Sequence, residues 1–142
     1  MNRCAKRQLR IMLVAVTVLC ALASSTAIAA TVPVLGWKGA FSFGKGFGAV
    51  KPRTVYLGGD PTGLVKSISW PRWGTRGPWG YGTGWCPGSS VASGHPCQAA
   101  LRASNLGLCH GQRAYRKLAF YFKTGPGWTS GAKWNICRGA VS

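Results

Sequence analysis

The chain has 142 residues, with 18 Lys and Arg against a single acid, Asp60, and a formal net charge of +17. With no Glu and one Asp it lacks the carboxylate pair of the usual glycoside hydrolases and the carboxylate cages of Ca²⁺ and Mg²⁺ sites. A Ser-His-Asp triad is excluded too, unless Asp60 supplies its acid. Ion pairs cannot hold such a chain together, so its charge bears on partners and points to a polyanion.

The N-terminus predicts an export signal. Arg3, Lys6, Arg7 and Arg10 precede an apolar run from Ile11 to Ala23, and Ala27-Ile28-Ala29 offers small residues for cleavage. Residues 1–29 therefore read as a secretory signal peptide, cut after Ala29 or Ala30. An uncleaved anchor is the competing reading, because Ile11 to Ala30 approaches the length of a membrane span; Ser24, Ser25 and Thr26 interrupt it. A lipid anchor on Cys20 is disfavoured by Leu19 just before it. Cleavage leaves 113 residues, 14 cations and a net charge of +13. That is enough chain for one domain with a modest core. It also leaves Cys86, Cys97, Cys109 and Cys137 in an oxidising, extracellular space, where two disulfides are expected.

Residues 30–53 form a Gly- and aromatic-rich arm containing Trp37, Phe41, Phe43 and Phe47. Gly44-Lys45-Gly46-Phe47-Gly48 has the look of a phosphate-binding loop, but the following Lys-Ser/Thr is missing and nothing downstream is helical. The arm is expected to be poorly ordered or to add an edge strand, with a boundary at Lys51-Pro52.

Residues 54–142 read as a single all-β domain. Thr54–Leu57 is a short strand. Gly58 to Gly63 is dense in turn residues, with Asp60 as an Asx-turn former. Leu64 to Trp70 alternates, placing Leu64, Ile68 and Trp70 on one face and Val65, Ser67 and Ser69 on the other. The stretch Leu64–Cys86 holds four of the seven Trp, with Gly at 74, 77, 80, 82 and 84. After Pro71 it predicts an irregular loop with a bulge or a second short strand. Trp70 and Trp73 are assigned to the core. Trp79, Tyr81 and Trp85 sit among glycines near Arg72 and Arg76, where exposed rings can stack on a sugar or a base.

Cys86 to Cys97 is a polar loop and Gln98 to Leu106 a strand, followed by a turn at Leu108–Gly111. Ala114–Phe122 is the clearest strand, with Leu118, Phe120 and Phe122 on one face and Tyr115, Lys117, Ala119 and Tyr121 on the other. Lys123–Ala132 is a predicted loop and Lys133–Arg138 a last strand, paired with Ala114–Phe122 as a hairpin. The fold class is a small disulfide-stabilised β-sandwich or partly open barrel of five to seven short strands.

Four cysteines allow three pairings, and spacing alone does not choose among them. Cys86–Cys97, closing the polar loop, with Cys109–Cys137 is the favoured set. Chain entropy assigns these loops about 3 and about 3.6 kcal/mol. Zinc held by these cysteines with His95 and His110 is the rival, but there is no Cys-x₂-Cys knuckle. No Gly-x-Ser-x-Gly elbow is present, and no cofactor, metal or enzymatic activity is expected.

From Gly59 onward the chain resembles a family of short secreted actinobacterial proteins of uncharacterised function. The likeness rests on Gly59-Asp60-Pro61-Thr62-Gly63, Val65, Ile68-Ser69-Trp70 with Trp73-Gly74, Gly107-Leu108-Cys109-His110-Gly111, Ala114-Tyr115-Arg116-Lys117-Leu118, Phe120-Tyr121-Phe122 and Ile136-Cys137. The resemblance implies a secreted domain with a Cys109–Cys137 type pairing, and it brings no activity or site residues.

The expected function is non-catalytic binding of anionic polymers at or outside the cell envelope by a monomeric, secreted cationic domain. Arg72, Arg76, Arg113, Arg116 and Lys117 are the candidate contacts, with Trp79 and Trp85 as stacking platforms. The candidate partners are an anionic envelope polymer, an anionic lipid surface or extracellular nucleic acid. The alternatives are a cationic antimicrobial or competition factor acting on membranes, for which no amphipathic basic helix is evident, and a structural envelope protein without a specific ligand.

Overall fold

A computed structural model describes residues 31–141; the predicted signal peptide, with Cys4 and Cys20, lies outside them. Eight strands follow in chain order: β1 (Val34–Leu35), β2 (Val55–Tyr56), β3 (Leu64–Ser69), β4 (Trp79–Cys86), β5 (His95–Cys109), β6 (Gln112–Thr124), β7 (Gly127–Asn135) and β8 (Ala140–Val141). Strands β2 to β8 pair in sequence order as an antiparallel meander, and β1 adds to β6 in parallel. The sheet curls into an open half-barrel, so the expected all-β, disulfide-stabilised architecture is the one found. Its strands are less uniformly short than expected, because β5 and β6 run 15 and 13 residues.

Two tight turns make this possible. β5 and β6 are joined by His110-Gly111, both at positive φ (49° and 79°), the requirement of a type I′ hairpin. β6 and β7 are joined by Gly125-Pro126, with Gly125 at φ 61°, where Gly takes the first position of a type II′ turn. Most of the predicted loop Lys123–Ala132 is therefore strand, with Trp128, Thr129 and Ser130 opposite Lys123, Phe122 and Tyr121. The predicted last strand ends early, at Asn135, before the turn into β8.

The disulfides are Cys86–Cys97 and Cys109–Cys137, each with Cα atoms 5.7 Å apart. The first staples β4 to β5. The second ties the end of β5 to the segment that follows β7.

Residues 31–53 are not a separate arm. They belong to the same compact unit as the rest of the described chain. Leu35 and Phe47 are buried in the main core with Val55, Val65 and Leu118. Burying such side chains is worth about 1.5–3 kcal/mol each, which favours docking over a solvated arm. β1 takes the stretch of β6 at Ala114 and Tyr115, while β7 pairs with β6 only from Lys117 onward. Gly36 N–H donates to Tyr115 O (3.0 Å) and Trp37 N–H to Ile136 O (3.1 Å). A Cβ on Gly36 would lie 2.4 Å from Ile136 O, so only glycine permits this approach.

Two expected face assignments also change. In β3, Val65 and Ile68 are both buried although three residues apart. The register steps from Lys66–Thr83 to Ser69–Tyr81, leaving one extra residue in β3. Ser67, at φ 54°, sits within that step. This is a β-bulge, and it moves Val65 to the inner face. In the β5–β6 pair, Tyr115 shares the main core with Leu118, and Ala103 shares it with Leu106. Both strands change face around Asn105 (φ 57°), yet the pairing stays in step on either side. Arg116 donates to Asn105 Oδ1 (2.8 Å) and Asn105 O (3.3 Å), bracing the bend.

Candidate functional site

The segment Trp79–Cys86 reads WGYGTGWC, and its alternation decides what the sheet presents to solvent. Gly80, Gly82 and Gly84 face the core. A Cβ on Gly80 would come within 2.8 Å of Ile68 and Trp70, and one on Gly84 within 2.8 Å of Ala99 and 2.9 Å of Phe122. Glycine on the inner side lets the bulky residues of β3 and β6 lie flat against β4. Trp79, Tyr81, Thr83 and Trp85 consequently project from the outer face.

Strand register assembles the rest of that face. Trp79 stands opposite Arg102 and Tyr81 opposite Ala100. On the next strand Ala100 and Arg102 face Tyr121 and Ala119, and these face Ser130 and Lys133 on β7. Ala100 is only 2% exposed yet lies outside the main core cluster. It is the floor under the aromatic side chains. The Trp79 ring is 5.0 Å from Tyr121 and 6.5 Å from Tyr81, nearly parallel to the latter at 15°. The Arg102 guanidinium carbon lies 5.7 Å from the Trp79 ring centroid, a cation–π contact. Tyr81 and Trp128 remain 49% and 48% exposed.

Three adjoining hollows share these residues. One of about 420 Å³ is bordered by Arg72, Thr75, Trp79 and Tyr81. The second, about 380 Å³, lies among Trp79, Tyr81, Tyr121, Trp128 and Ser130 over Ala100. The third, about 340 Å³, is lined by Arg102, Ser104, Lys117, Tyr121 and Lys133. Together they form one tract, aromatic in the middle and cationic at both ends.

No acidic side chain opposes those cations. Asp60, the only one in the sequence, caps the 3₁₀ turn Pro61–Gly63, where its carboxylate accepts from Thr62 N–H (2.8 Å) and from the Thr62 hydroxyl. These hydrogen bonds hold its pKa below the ordinary aspartate value. Asp60 is thus the turn former expected from the sequence.

Of the predicted contact residues, the fold brings Arg72, Trp79 and Lys117 onto the tract. Arg76 is exposed in the loop that borders it. Trp85 projects from the same side of β4 but lies about 20 Å along the strand from Trp79. Its Nε1–H donates to Val91 O (3.2 Å), across the loop closed by Cys86–Cys97. Arg113 donates to Thr31 O (3.2 Å), and Arg116 is engaged by Asn105, both toward the His110-Gly111 end of β6. Arg102, Tyr121, Trp128 and Lys133 were missed as site residues. The alternation of β6 had put Tyr121 beside Lys117, whereas Trp128 was hidden in a segment read as loop.

Cys109, His110 and Cys137 bring their potential ligand atoms within 4.8 Å of one another. The two sulfurs are bonded to each other and offer no thiolate. The His110 ring stacks on Trp37 at 4.1 Å. Among the described residues no helix is long and apolar enough to cross a membrane. Comparison with protein-family models, curated proteins and solved structures finds no match to this chain.

Proposed function

We propose that this is a secreted, non-catalytic module that binds anionic polymers at or outside the cell envelope, with the outer face of β4–β7 as its contact surface. One observation carries the reading: Arg72, Arg102, Lys117 and Lys133 border a continuous tract around Trp79, Tyr81, Tyr121 and Trp128, with no acidic side chain on it. A polyanion laid along the tract neutralises cations that otherwise repel one another, and counterion release then drives binding. The two disulfides and the signal-like N-terminus support an extracytoplasmic site of action.

The test is retention of the oxidised mature protein on an immobilised teichoic-type polymer through a salt gradient. Replacing Lys117 and Lys133 together by Glu is compared with replacing Lys38 and Lys45, two exposed lysines on the N-terminal segment. Both variants change net charge equally. The β6–β7 pair should elute at clearly lower salt than the control pair; equal elution means that the charge acts generically and sinks the assignment to this face.

A further inference from the structure

Building on that reading, we infer that the polymer this face takes is single-stranded nucleic acid, its bases lying on the aromatic tract and its phosphates on the flanking cations. A base-free polyanion needs only the cations. It gives no reason to hold Tyr81 and Trp128 half in water, in a chain that buries Trp70 completely enough to leave it 5% exposed. Aromatic faces held in the open are what bases stack on, whatever the base, because each base has a π face. The Trp79 ring among them is also fixed in place. Trp79 is braced by Tyr121 at 5.0 Å and by Arg102 at 5.7 Å, and Ala100 beneath is buried. Little side-chain freedom is then left to lose on binding.

A neutral glycan fits less well. Sugar hydroxyls need acceptors, and carboxylates are acceptors only. This face has no carboxylate, because Asp60 is the sole acidic side chain and is taken up by Thr62, which leaves only Ser and Tyr hydroxyls as side-chain acceptors in the two hollows over β5–β7. Duplex DNA fits less well too, since its base faces are occupied by their neighbours, whereas an unpaired strand can splay its bases onto side chains. With only Ser104 and Ser130 as small polar groups lining the two hollows over β5–β7, hydrogen-bond reading of base edges is sparse. Binding is therefore sequence-tolerant.

The experiment titrates the protein with an oligothymidylate of about 12 nucleotides, within the span covered by known single-strand binders, with a duplex of equal length, and with inorganic polyphosphate. Trp fluorescence and anisotropy are followed. Tyr81→Ala and Trp128→Ala alter half-exposed positions and are checked for folding by circular dichroism. The expected result is quenching by the oligothymidylate, tighter than the duplex. Either variant should weaken the oligothymidylate about five- to hundredfold, as loss of one stacking partner does, and leave polyphosphate within twofold. If both variants weaken the two ligands equally or not at all, or if the duplex binds tighter, the base-stacking inference is overturned while the cationic face stands. If neither oligothymidylate, duplex nor polyphosphate binds at low salt, the underlying proposal fails as well.

Discussion

Tyr115 shows how one side chain positions an edge of the candidate face. It is fully buried, and its hydroxyl donates to Thr75 O (2.7 Å) and accepts from Gly74 N–H (3.0 Å). Trp73 packs edge-on against its ring at 5.0 Å and donates to Pro33 O (2.8 Å). These bonds hold the loop that carries Arg72 against the core. Tyr115→Phe keeps the ring and strands two backbone groups, so it should cost about 1–3 kcal/mol in urea denaturation. Burial pushes the Tyr115 hydroxyl above its ordinary pKa of 10.0, more than the hydrogen bond from Gly74 and the nearby Arg113 lower it. The folded state therefore prefers the neutral phenol. That preference is fully expressed below the unfolded pKa and is lost as pH rises through the folded one. Above pH 10 the wild type should lose stability faster than Tyr115→Phe; parallel curves would show that the phenol is not protected.

At the scale of elements, the Cys109–Cys137 bridge closes a longer loop than Cys86–Cys97, 28 residues of separation against 11. It also anchors more. Cys109 packs with Val34 and Ala114, so β1, β5 and the turn after β7 meet at this bridge. Replacing Cys109 and Cys137 by Ser should therefore lower the urea midpoint more than replacing Cys86 and Cys97. Chain entropy puts the losses at about 3.6 and about 3 kcal/mol, and the lost packing widens the gap. The reverse order would mean that β1 contributes little. Where the sequence was legible, strand edges and turns carried their own chemistry: Asp60 in its Asx turn, Leu118 and Phe120 alternating inward. Where it was not, tertiary packing overrode a local rule. The glycines of WGYGTGWC argued for an irregular loop with a bulge or at most a second short strand, because Gly weakens a strand. In the fold they are the inner positions of a strand whose core is filled from β3 and β6 instead. A bulge at Ser67 and an in-register change of face at Asn105 moved side chains that simple alternation had fixed, and no residue type in those strands announces either. Trp128 was lost to the site for a similar reason, since Gly125-Pro126 reads as the start of a loop until it is seen to be a two-residue hairpin turn; Lys133, already in a predicted strand, joins the site only through its register opposite Ala119.

At the scale of the whole molecule, salt should act on this protein in two opposite ways. Residues 31–141 carry 14 cations against one anion, and self-repulsion destabilises the compact state. Raising ionic strength from about 0.01 M to about 0.15 M shortens the screening length from about 30 Å to about 8 Å. The free protein should therefore melt at a higher temperature in the saltier buffer. Binding to a polyanion moves the other way, because released counterions are worth less as bulk salt rises, with a log–log slope near −0.7 per neutralised phosphate on a single strand. Engagement of Arg72, Arg102, Lys117 and Lys133 together predicts a slope near −2.8. The paired measurement is a melting series on the free protein beside an affinity series with oligothymidylate in the same buffers. A rising melting temperature with a slope near that figure fits a localised cationic face on a self-repelling fold. A much steeper slope would mean that the polymer gathers cations from around the whole surface, leaving the β4–β7 face no special part. A melting temperature that does not rise would show that the curled sheet and its two disulfides already absorb the repulsion, and that a polyanion has no strain to relieve.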